Sequence, residues 1–219
     1  MEKHLQEKLL KIIQKPAKYK QHPNTIVPEA IIPIPKEILF DQLDSYHILE
    51  LGCGWGEFAL EWLRSRPQDE YIAFEIKKDR IKKLLKKIDA IQLKNLKILI
   101  VNFEWFLEEI LPKNSFDLII INFPDPWPKK RHWKHRVIKE ENLIKFYELL
   151  RNQGKIYIAT DYGPYARKII SLFRKSKFFL PLIPFPNYTR TKIKLFPESK
   201  FENRISKTKK PYYTLWKKV

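Results

Sequence analysis

From residue 47 onward, short apolar runs alternate with segments of helical periodicity, and this alternation constrains the fold more than any other feature. The short runs predict buried strands, because they are apolar throughout and are bounded by turn-forming residues. Strands that alternate with helices form a parallel sheet with right-handed crossovers. The predicted strands are HILEL (47–51), YIAFEI (71–76), LKILIV (96–101), FDLIII (116–121), KIYIAT (155–160) and a final candidate in PYYTLWKKV.

The intervening segments 57–66, 77–92 and 167–175 predict helices. In 77–92 the apolar residues recur at helical spacing and lysines occupy the other face, which is typical of a helix packed on a sheet. Residues 1–46 differ, because Pro23, Pro28, Pro33 and Pro35 exclude a continuing helix there. We therefore predict an α/β domain over 47–219, preceded by an N-terminal extension over 1–46.

The chain carries 43 Lys and Arg against 25 Asp and Glu, a formal net charge of +18. A polyanionic partner commonly compensates such self-repulsion; a lysine-rich proteome and an anionic membrane surface are the alternatives. Cys53 is the only cysteine, which excludes an internal disulfide and a cysteine metal cage. No apolar run is long enough to span a membrane and no signal-peptide layout is present, so we expect a soluble, cytoplasmic protein without a membrane partner.

Three of the five glycines, Gly52, Gly54 and Gly56, fall in LELGCGWGEF at the end of the first predicted strand. Glycine there allows the backbone to approach a ligand ahead of a helix, whereas a simple strand-to-helix turn needs only one. The spacing G-x-G-x-G differs from the dinucleotide fingerprint G-x-G-x-x-G, and Glu57 at the helix opening would repel a pyrophosphate. The stretch therefore favours a nucleoside cofactor without a pyrophosphate.

Polar residues end the first three strands of the 47–219 segment. Glu50 fits the cationic amino-acid end of a cofactor, Glu75 stands where an acid binds ribose hydroxyls, and Asn102 could accept a hydrogen bond from an adenine amine. Each of these alone is more often a surface residue or a helix cap. As an ordered set they predict S-adenosylmethionine as the cofactor.

The fourth strand leads into NFPDPWPKKRHWKHR (122–136), in which three prolines surround Asp125 and a strip of lysines and arginines follows. An isolated Asp-Pro is more often an ordinary turn. The strip fits a phosphodiester backbone, and Trp127 and Trp133 could stack on bases, although core packing is equally open for Trp127. His132 and His135 lack acidic or cysteine partners, so we expect no metal.

This stretch resembles the signature of the bacterial tRNA (guanine-N7)-methyltransferases, roughly F-x-D-P-W-P-K-K-R-H. The resemblance spans about 47–217 and includes LELGCGWG, FEIKKDR, the ATD at 159–161 and SKFENR at 199–204. It implies a class I S-adenosylmethionine-dependent methyltransferase, Rossmann-like, with a mostly parallel seven-stranded sheet and helices on both faces. It also implies methylation of N7 of a guanine in tRNA, at position 46 of the variable loop. We expect a monomer or a homodimer whose residues 1–46 are flexible and contact RNA.

The resemblance also implies roles for matching positions. Asp125 would be catalytic and would line the cofactor pocket with Glu50, Gly52, Gly54, Glu75 and Asn102. The substrate would be bound by Lys129, Asp161, Ser199, Lys200, Phe201 and Glu202, and RNA would be contacted by Arg131, His132, Trp133, Lys134, His135 and Arg136. Many relatives have Asp at the position of Asn102 and Thr at that of Ser199; both replacements keep an oxygen acceptor.

Three other functions compete with this prediction. Methyltransferases of exocyclic amines carry Asp/Asn-Pro-Pro-aromatic after strand four, and PDPW interrupts that pattern. Aminopropyl transfer to polyamines would need acids around a cationic substrate, which the basic strip does not offer. A catalytically silent RNA-binding subunit would have no need of Glu50, Glu75 and Asp125.

Overall fold

The computed structural model of the chain describes residues 2–13, 17–206 and 208–219. The strands are β1 (Thr25–Ile26), β2 (His47–Leu51), β3 (Glu70–Phe74), β4 (Leu96–Leu99), β5 (Phe116–Asn122), β6 (Leu150–Thr160), β7 (Phe179–Pro181) and β8 (Tyr212–Lys218). The helices are α1 (Glu2–Ile13), α2 (Lys36–Leu39), α3 (Glu57–Ser65), α4 (Lys78–Ile91), α5 (Phe103–Ile110), α6 (Glu140–Leu149), α7 (Gly163–Lys175) and α8 (Lys200–Ser206), with 3-10 helices at Lys18–Lys20 and Lys130–His135. Among these described residues, no helix is long and apolar enough to cross a membrane.

The described strands form one sheet in the order β1-β4-β3-β2-β5-β6-β8-β7. Pairing is parallel from β1 to β6, and β8 is antiparallel to both β6 and β7. The chain order reverses between β2 and β5, which pair through Ile48–Leu118 and Glu50–Ile120. Ligands of open α/β sheets bind beyond the carboxyl ends of the strands at such a reversal, so the fold directs the search to the ends of β2 and β5.

Helices cover both faces of the sheet. On one face α1, α2, α5, α6 and α7 pack against alternate strand residues such as Leu49 and Ile119. On the other face α3 and α4 pack against the residues between them, such as Ile48 and Leu118. Every residue of β2 and β3 is buried, as expected for parallel strands covered on both sides. The α/β architecture with helices on both faces is therefore confirmed.

The sheet has one strand more than the seven that the family resemblance implies, because β1 lies within the N-terminal segment and pairs parallel with β4. Asn24 holds this edge by donating its side-chain amide to the carbonyls of Leu93 and Leu96, at 2.9 and 2.8 Å. The same segment buries Leu9 and Phe40 in the core. The described part of 1–46 therefore packs on the sheet and supplies its edge strand. Its contact with RNA stays a prediction.

Candidate active site

Glu50 lies at the carboxyl end of β2, and its side chain is only 2% exposed. Its carboxylate accepts the hydroxyl of Tyr71 at 2.9 Å and the side-chain amide of Asn122 at 3.3 Å. Burial raises the pKa of Glu50 to about 7, and these two hydrogen bonds oppose the rise. Because Asn122 ends β5, the bond joins the two strands at the reversal of chain order.

The buried amide oxygen of Asn122 has no hydrogen-bond partner among the described residues. Buried acceptors are nearly always satisfied, and an orphaned one in a site calls for an explanation. The nitrogen of the same Asn122 amide donates to Glu50. The amide oxygen and the Glu50 carboxylate therefore lie close together, and both can accept a further hydrogen bond. A ligand that carries hydrogen-bond donors and positive charge would satisfy both.

The turn between β2 and α3 contains Gly52, Gly54 and Gly56, all with positive φ (84°, 60° and 72°). A Cβ built on Gly54 would have no heavy atom within 4 Å, whereas one on Gly56 would lie 2.3 Å from Cδ1 of Leu84. Gly54 therefore leaves open space for a ligand beside the backbone. At Gly56 the absence of a side chain is required by the packing of α4 against the turn, and not by the approach of a ligand as the glycine pattern indicated.

Glu75 follows β3 and is 5% exposed. One carboxylate oxygen accepts the backbone N–H groups of Ile76 and Lys77, both at 2.8 Å, and the other lies 3.2 Å from a guanidinium nitrogen of Arg80. These contacts fix the carboxylate at the edge of the sheet. Asn102 follows β4 and caps α5, where its side-chain oxygen accepts the N–H of Glu104 at 2.9 Å.

Asp125 lies three residues beyond β5 in an exposed loop. Burial is the largest cause of the raised pKa of Glu104, His135 and Lys139 oppose the rise, and the negative charge of Asp125 adds a smaller contribution to it. The loop carrying Asp125 therefore lies near the first turn of α5, which Asn102 caps. Two non-glycine residues of this loop, Phe123 and Trp127, have positive φ of 48° and 41°.

The basic strip after Asp125 forms the 3-10 helix Lys130–His135. Arg131, Lys134 and His135 are exposed, and His132 is half-buried. Trp127 is half-buried rather than a core residue, and its ring packs against His132 and His135 at centroid distances of 5.6 and 5.3 Å. Trp133 is 42% exposed.

Arg136 differs from the other residues predicted to contact RNA, because its side chain is buried, at only 6% exposure. Its guanidinium donates to the backbone carbonyls of Pro126 at 2.8 Å and Trp127 at 3.2 Å. In this structure the guanidinium of Arg136 is therefore used for contacts within the protein. Its contact with RNA stays a prediction.

The predicted substrate-binding residues fall into two groups. Lys129 is exposed at the start of the 3-10 helix, and Asp161 is half-buried directly after β6. Phe201 on α8 approaches the loop through Phe123, with ring centroids 5.0 Å apart. The side chain of Lys200, also predicted to bind substrate, lies outside the described part of the chain.

Ser199 and Glu202 make contacts that stabilise α8 itself. The hydroxyl of Ser199 accepts the N–H of Glu202 at 3.1 Å, as an N-cap does. Glu202 is 2% exposed and is bound by Lys192 at 2.6 Å and by the hydroxyl of Tyr213 at 2.5 Å. Both carboxylate oxygens of Glu202 thus make contacts inside the protein. These contacts were not predicted from the sequence, and the contact of Glu202 with substrate stays a prediction.

Tyr71 and Asn122, the two partners of Glu50, were not among the predicted site residues. Asn122 is a polar residue that directly ends a buried strand, which is the signal that identified Asn102, and it could have been found in the same way. Tyr71 gives no such signal, since it lies inside a strand. Within the described residues no group of three or more His, Cys, Asp or Glu could hold a metal ion.

These residues fit S-adenosylmethionine on observations made in the structure. The buried Glu50 and the orphaned oxygen of Asn122 suit an ammonium group. The open space at Gly54 allows close approach. The fixed carboxylate of Glu75 suits ribose hydroxyls at the end of the next strand.

Comparison with known proteins places the chain among methyltransferases. A family model described as "Putative methyltransferase" matches residues 44–215. A tRNA (guanine-N(7)-)-methyltransferase of Leptospira interrogans is 51% identical over 148 residues, which cover 68% of each chain. A protein of the same name from Nitrosomonas europaea is 35% identical over 162 residues, 71% of each chain. Another from Thermotoga maritima is 32% identical over 173 residues, which cover 78% of this chain and 54% of that one.

Solved structures agree with the architecture. A 16S rRNA methyltransferase named KamB superimposes with a TM-score of 0.58 at 16% identity, covering 84% of this chain and 92% of that one. An antibiotic-related methyltransferase gives a TM-score of 0.57 at 20% identity, covering 86% and 96%. At these identities the likeness shows the fold alone, and it confirms the predicted methyltransferase fold class.

Proposed function

The chain belongs to the family of bacterial tRNA (guanine-N7)-methyltransferases, and from this membership we propose that it transfers a methyl group from S-adenosylmethionine to N7 of a guanine in tRNA. The proposed guanine is at position 46, in the variable loop. We propose further that it acts in the cytoplasm as a monomer or homodimer, without a metal.

The observation that carries the proposal is the hydrogen bond of 3.3 Å between Asn122 and Glu50. It joins the end of β2, which leads into the glycine turn, to the end of β5, which leads into the loop of Asp125. The cofactor half and the acceptor half of a methyltransferase site would thereby meet at the reversal of chain order, where ligands of this fold class bind.

S-adenosylmethionine supplies a methyl group that its sulfonium activates. In the proposed site Glu50 would bind the ammonium group and Glu75 the ribose. Gly52 and Gly54 would line the amino-acid end, and Asn102 would accept a hydrogen bond from adenine. Asp125 lines the same pocket on the acceptor side. Burial of Glu50 and the internal bonds of Glu75 support these roles, because both carboxylates are held at strand ends before a ligand arrives.

N7 of guanine carries a lone pair and no proton, so the chain does not need to supply a general base. Asp125, which the motif favours over the alternative Asp161, would accept hydrogen bonds from N1–H and the 2-amino group of the guanine. Those bonds strengthen as the ring becomes cationic, which lowers the barrier rather than merely improving binding. Adenine lacks that pair of donors, so the same carboxylate would select guanine.

The remaining predicted residues would hold the RNA. Lys129, Asp161, Phe201 and, through its hydroxyl, Ser199 would contact the substrate near the pocket; Lys200 and Glu202 are kept in this group as predicted by family resemblance. The exposed Arg131, Trp133, Lys134 and His135 and the half-buried His132 would contact the backbone and bases of the tRNA. A guanine in folded RNA must leave its stack to reach such a pocket.

Labelled methyl transfer to unmodified tRNA transcripts tests the proposal, with the modified nucleoside identified by mass spectrometry. We expect 7-methylguanosine in the transcript and none when guanine 46 is replaced by adenine. Equal incorporation into both transcripts would reject the position but not the reaction. A methylated exocyclic amine would identify the rival methyltransferase, and binding of tRNA without any transfer would identify a silent RNA-binding subunit.

A further inference from the structure

The guanidinium of Arg136 makes two hydrogen bonds and packs against two aromatic rings. Two of its nitrogens donate to the carbonyls of Pro126 and Trp127. The guanidinium carbon lies 4.7 Å from the ring centroids of both Trp133 and Tyr165. Tyr165 is itself fixed, because its hydroxyl accepts the N–H of Ile138 at 3.1 Å and its ring is fully buried. The cation is therefore packed against two rings and points at the loop that follows β5.

The loop needs such a donor because its own backbone provides few. Pro124, Pro126 and Pro128 have no N–H group. Among the described residues, no backbone–backbone hydrogen bond involves 124–128. Trp127 also has a left-handed backbone conformation, with φ of 41°, which a non-glycine residue adopts only when its surroundings impose it. Arg136 binds the two carbonyls that directly follow Asp125, one of them on Trp127.

We propose that Arg136 is a positioning residue for Asp125: its guanidinium clamps the Pro126 and Trp127 carbonyls and so fixes the loop that presents the carboxylate. This proposal rests on the proposed function, since it assigns Arg136 to the reaction carried by Asp125. A guanidinium suits the task because it is planar and donates along two parallel directions. A lysine ammonium has the same charge but cannot reproduce that fork.

The rival role for Arg136 is a phosphate contact within the basic strip, as its place in the sequence suggests. That role requires an accessible cation. Arg131 in the same strip is exposed, and its described contact is with the neighbouring His132 at 3.2 Å. Arg131 is therefore the matched control, because it has the same side chain in the same segment without the loop contacts.

The experiment compares Arg136→Gln and Arg136→Lys with Arg131→Gln in the full chain. For each we measure kcat and KM with tRNA, the Kd of S-adenosylhomocysteine, and the salt dependence of tRNA binding. For both Arg136 variants we expect kcat to fall about 10²-fold, because a catalytic group displaced by about 1 Å lowers the rate by about that factor. Their KM for tRNA and their salt slope should stay near those of the wild type. Arg131→Gln should raise KM and reduce the salt slope by about 1 with little change in kcat.

Three outcomes would overturn the proposal. Wild-type kcat in Arg136→Lys would show that the charge alone suffices. A reduced salt slope in Arg136→Gln would show a phosphate contact. Loss of cooperative unfolding in both Arg136 variants would show that Arg136 supports the whole fold rather than this loop. Failure of the proposed function is recognised separately, because the wild type would then form no 7-methylguanosine.

Discussion

Glu50 is a carboxyl group that the fold encloses before any ligand is bound. Its pKa is raised to about 7 chiefly by burial, so the neutral form is favoured in the free protein at mildly acidic pH. Ionisation of this group opposes folding, so its contribution to stability is complete below about pH 4.5 and is lost as the pH rises through about 7. A bound ammonium reverses the preference, since it stabilises the carboxylate.

Binding of the cofactor should therefore release a proton from Glu50 below pH 7. We expect the Kd of S-adenosylhomocysteine to fall up to tenfold per pH unit as the pH rises towards the pKa of about 7, and to level off above it. Isothermal titration calorimetry from pH 5.5 to 8 measures this. Glu50→Gln should bind more weakly and without that slope, whereas Glu61→Gln, an exposed acid on α3, should keep it. A wild-type affinity independent of pH would contradict the assigned role.

Asp125 should matter for turnover rather than for binding of the cofactor. Because its hydrogen bonds to guanine strengthen as charge develops, we expect Asp125→Ala to lower kcat by about 10²–10³-fold. The Kd of S-adenosylhomocysteine should change by less than about tenfold. Single-turnover methyl transfer and calorimetry measure the two effects, with Asp44→Ala as an exposed acidic control. Wild-type kcat in Asp125→Ala would remove the role.

The candidate site could be predicted in part because some of its signals are local. Glu50, Glu75 and Asn102 stand at the ends of apolar runs, so the rule that ligands bind at strand ends identifies them without a structure. Arg136 could not be assigned in this way. Its neighbours in sequence are exposed cations, and its burial depends on Tyr165, which lies 29 positions later in the chain.

In the turn between β2 and α3, two glycines are needed for different reasons: Gly54 leaves space for a ligand, and Gly56 leaves space for Leu84. Gly54→Ala adds a methyl group to open space, whereas Gly56→Ala drives it into the buried Leu84 of α4. Both substitutions carry the left-handed strain of roughly 1 kcal/mol, and Gly56→Ala adds roughly 1–3 kcal/mol of overpacking.

We therefore expect Gly56→Ala to lose more unfolding free energy than Gly54→Ala. Urea denaturation measures that difference. The Gly54→Ala variant should instead weaken binding of S-adenosylhomocysteine at least tenfold, since the added methyl group occupies the ligand's approach. Equal effects of the two variants on both properties would show that the turn acts as a single structural unit.

Helix α8 depends on Glu202, which binds Lys192 and Tyr213 inside the protein. Removing its charge by Glu202→Gln leaves Lys192 partly unpaired, and we expect the unfolding free energy to fall by roughly 1–3 kcal/mol. Exposed Glu198→Gln, four positions earlier, should change it by less than about 0.5 kcal/mol. Urea denaturation of both variants tests this. An unchanged stability with a raised KM for tRNA would instead support direct contact of Glu202 with substrate.

A strand or helix could be predicted from the sequence where it carries a continuous apolar run or a helical periodicity. The five buried runs from β2 to β6 were recognised because parallel strands covered on both faces are apolar throughout. Strands β1 and β7 were missed, since two and three residues carry no pattern. Their pairing is imposed by tertiary contacts, such as the bonds of Asn24 to the loop before β4 and the start of that strand.

For the whole molecule, the formal net charge of +18 is larger than the positive charge that is accessible to RNA. Lys218 is 4% exposed and donates to the carbonyl of Leu150 at 2.7 Å. Lys192 is paired with Glu202, and Arg151 bonds Asp117 at 2.8 Å. These cations serve the fold, and two of them, Lys192 and Lys218, lie in the basic segment 187–219. That segment therefore offers fewer accessible charges than its sequence indicates. In the strip after Asp125, the charges of Lys130, Arg131 and Lys134 stay exposed.

Binding of tRNA should therefore depend on where the charges lie and not only on their number. If five or six phosphates are neutralised, log Kd should change with log salt concentration with a slope of roughly 4–5. Replacing the exposed Lys130 and Lys134 together by Gln should reduce that slope by roughly 2. The same charge change on the outer face of α4, at the exposed Lys82 and Lys86, should leave it unchanged.

Fluorescence anisotropy with labelled tRNA between 0.05 and 0.3 M salt measures these slopes, and binding of S-adenosylhomocysteine serves as the nearly salt-independent reference. The two double variants have the same net charge, so a difference between them reports location alone. Equal reductions in slope would show that tRNA is held by the diffuse field of the whole molecule. The strip beside Asp125 would then have no privileged role in bringing the guanine to the pocket.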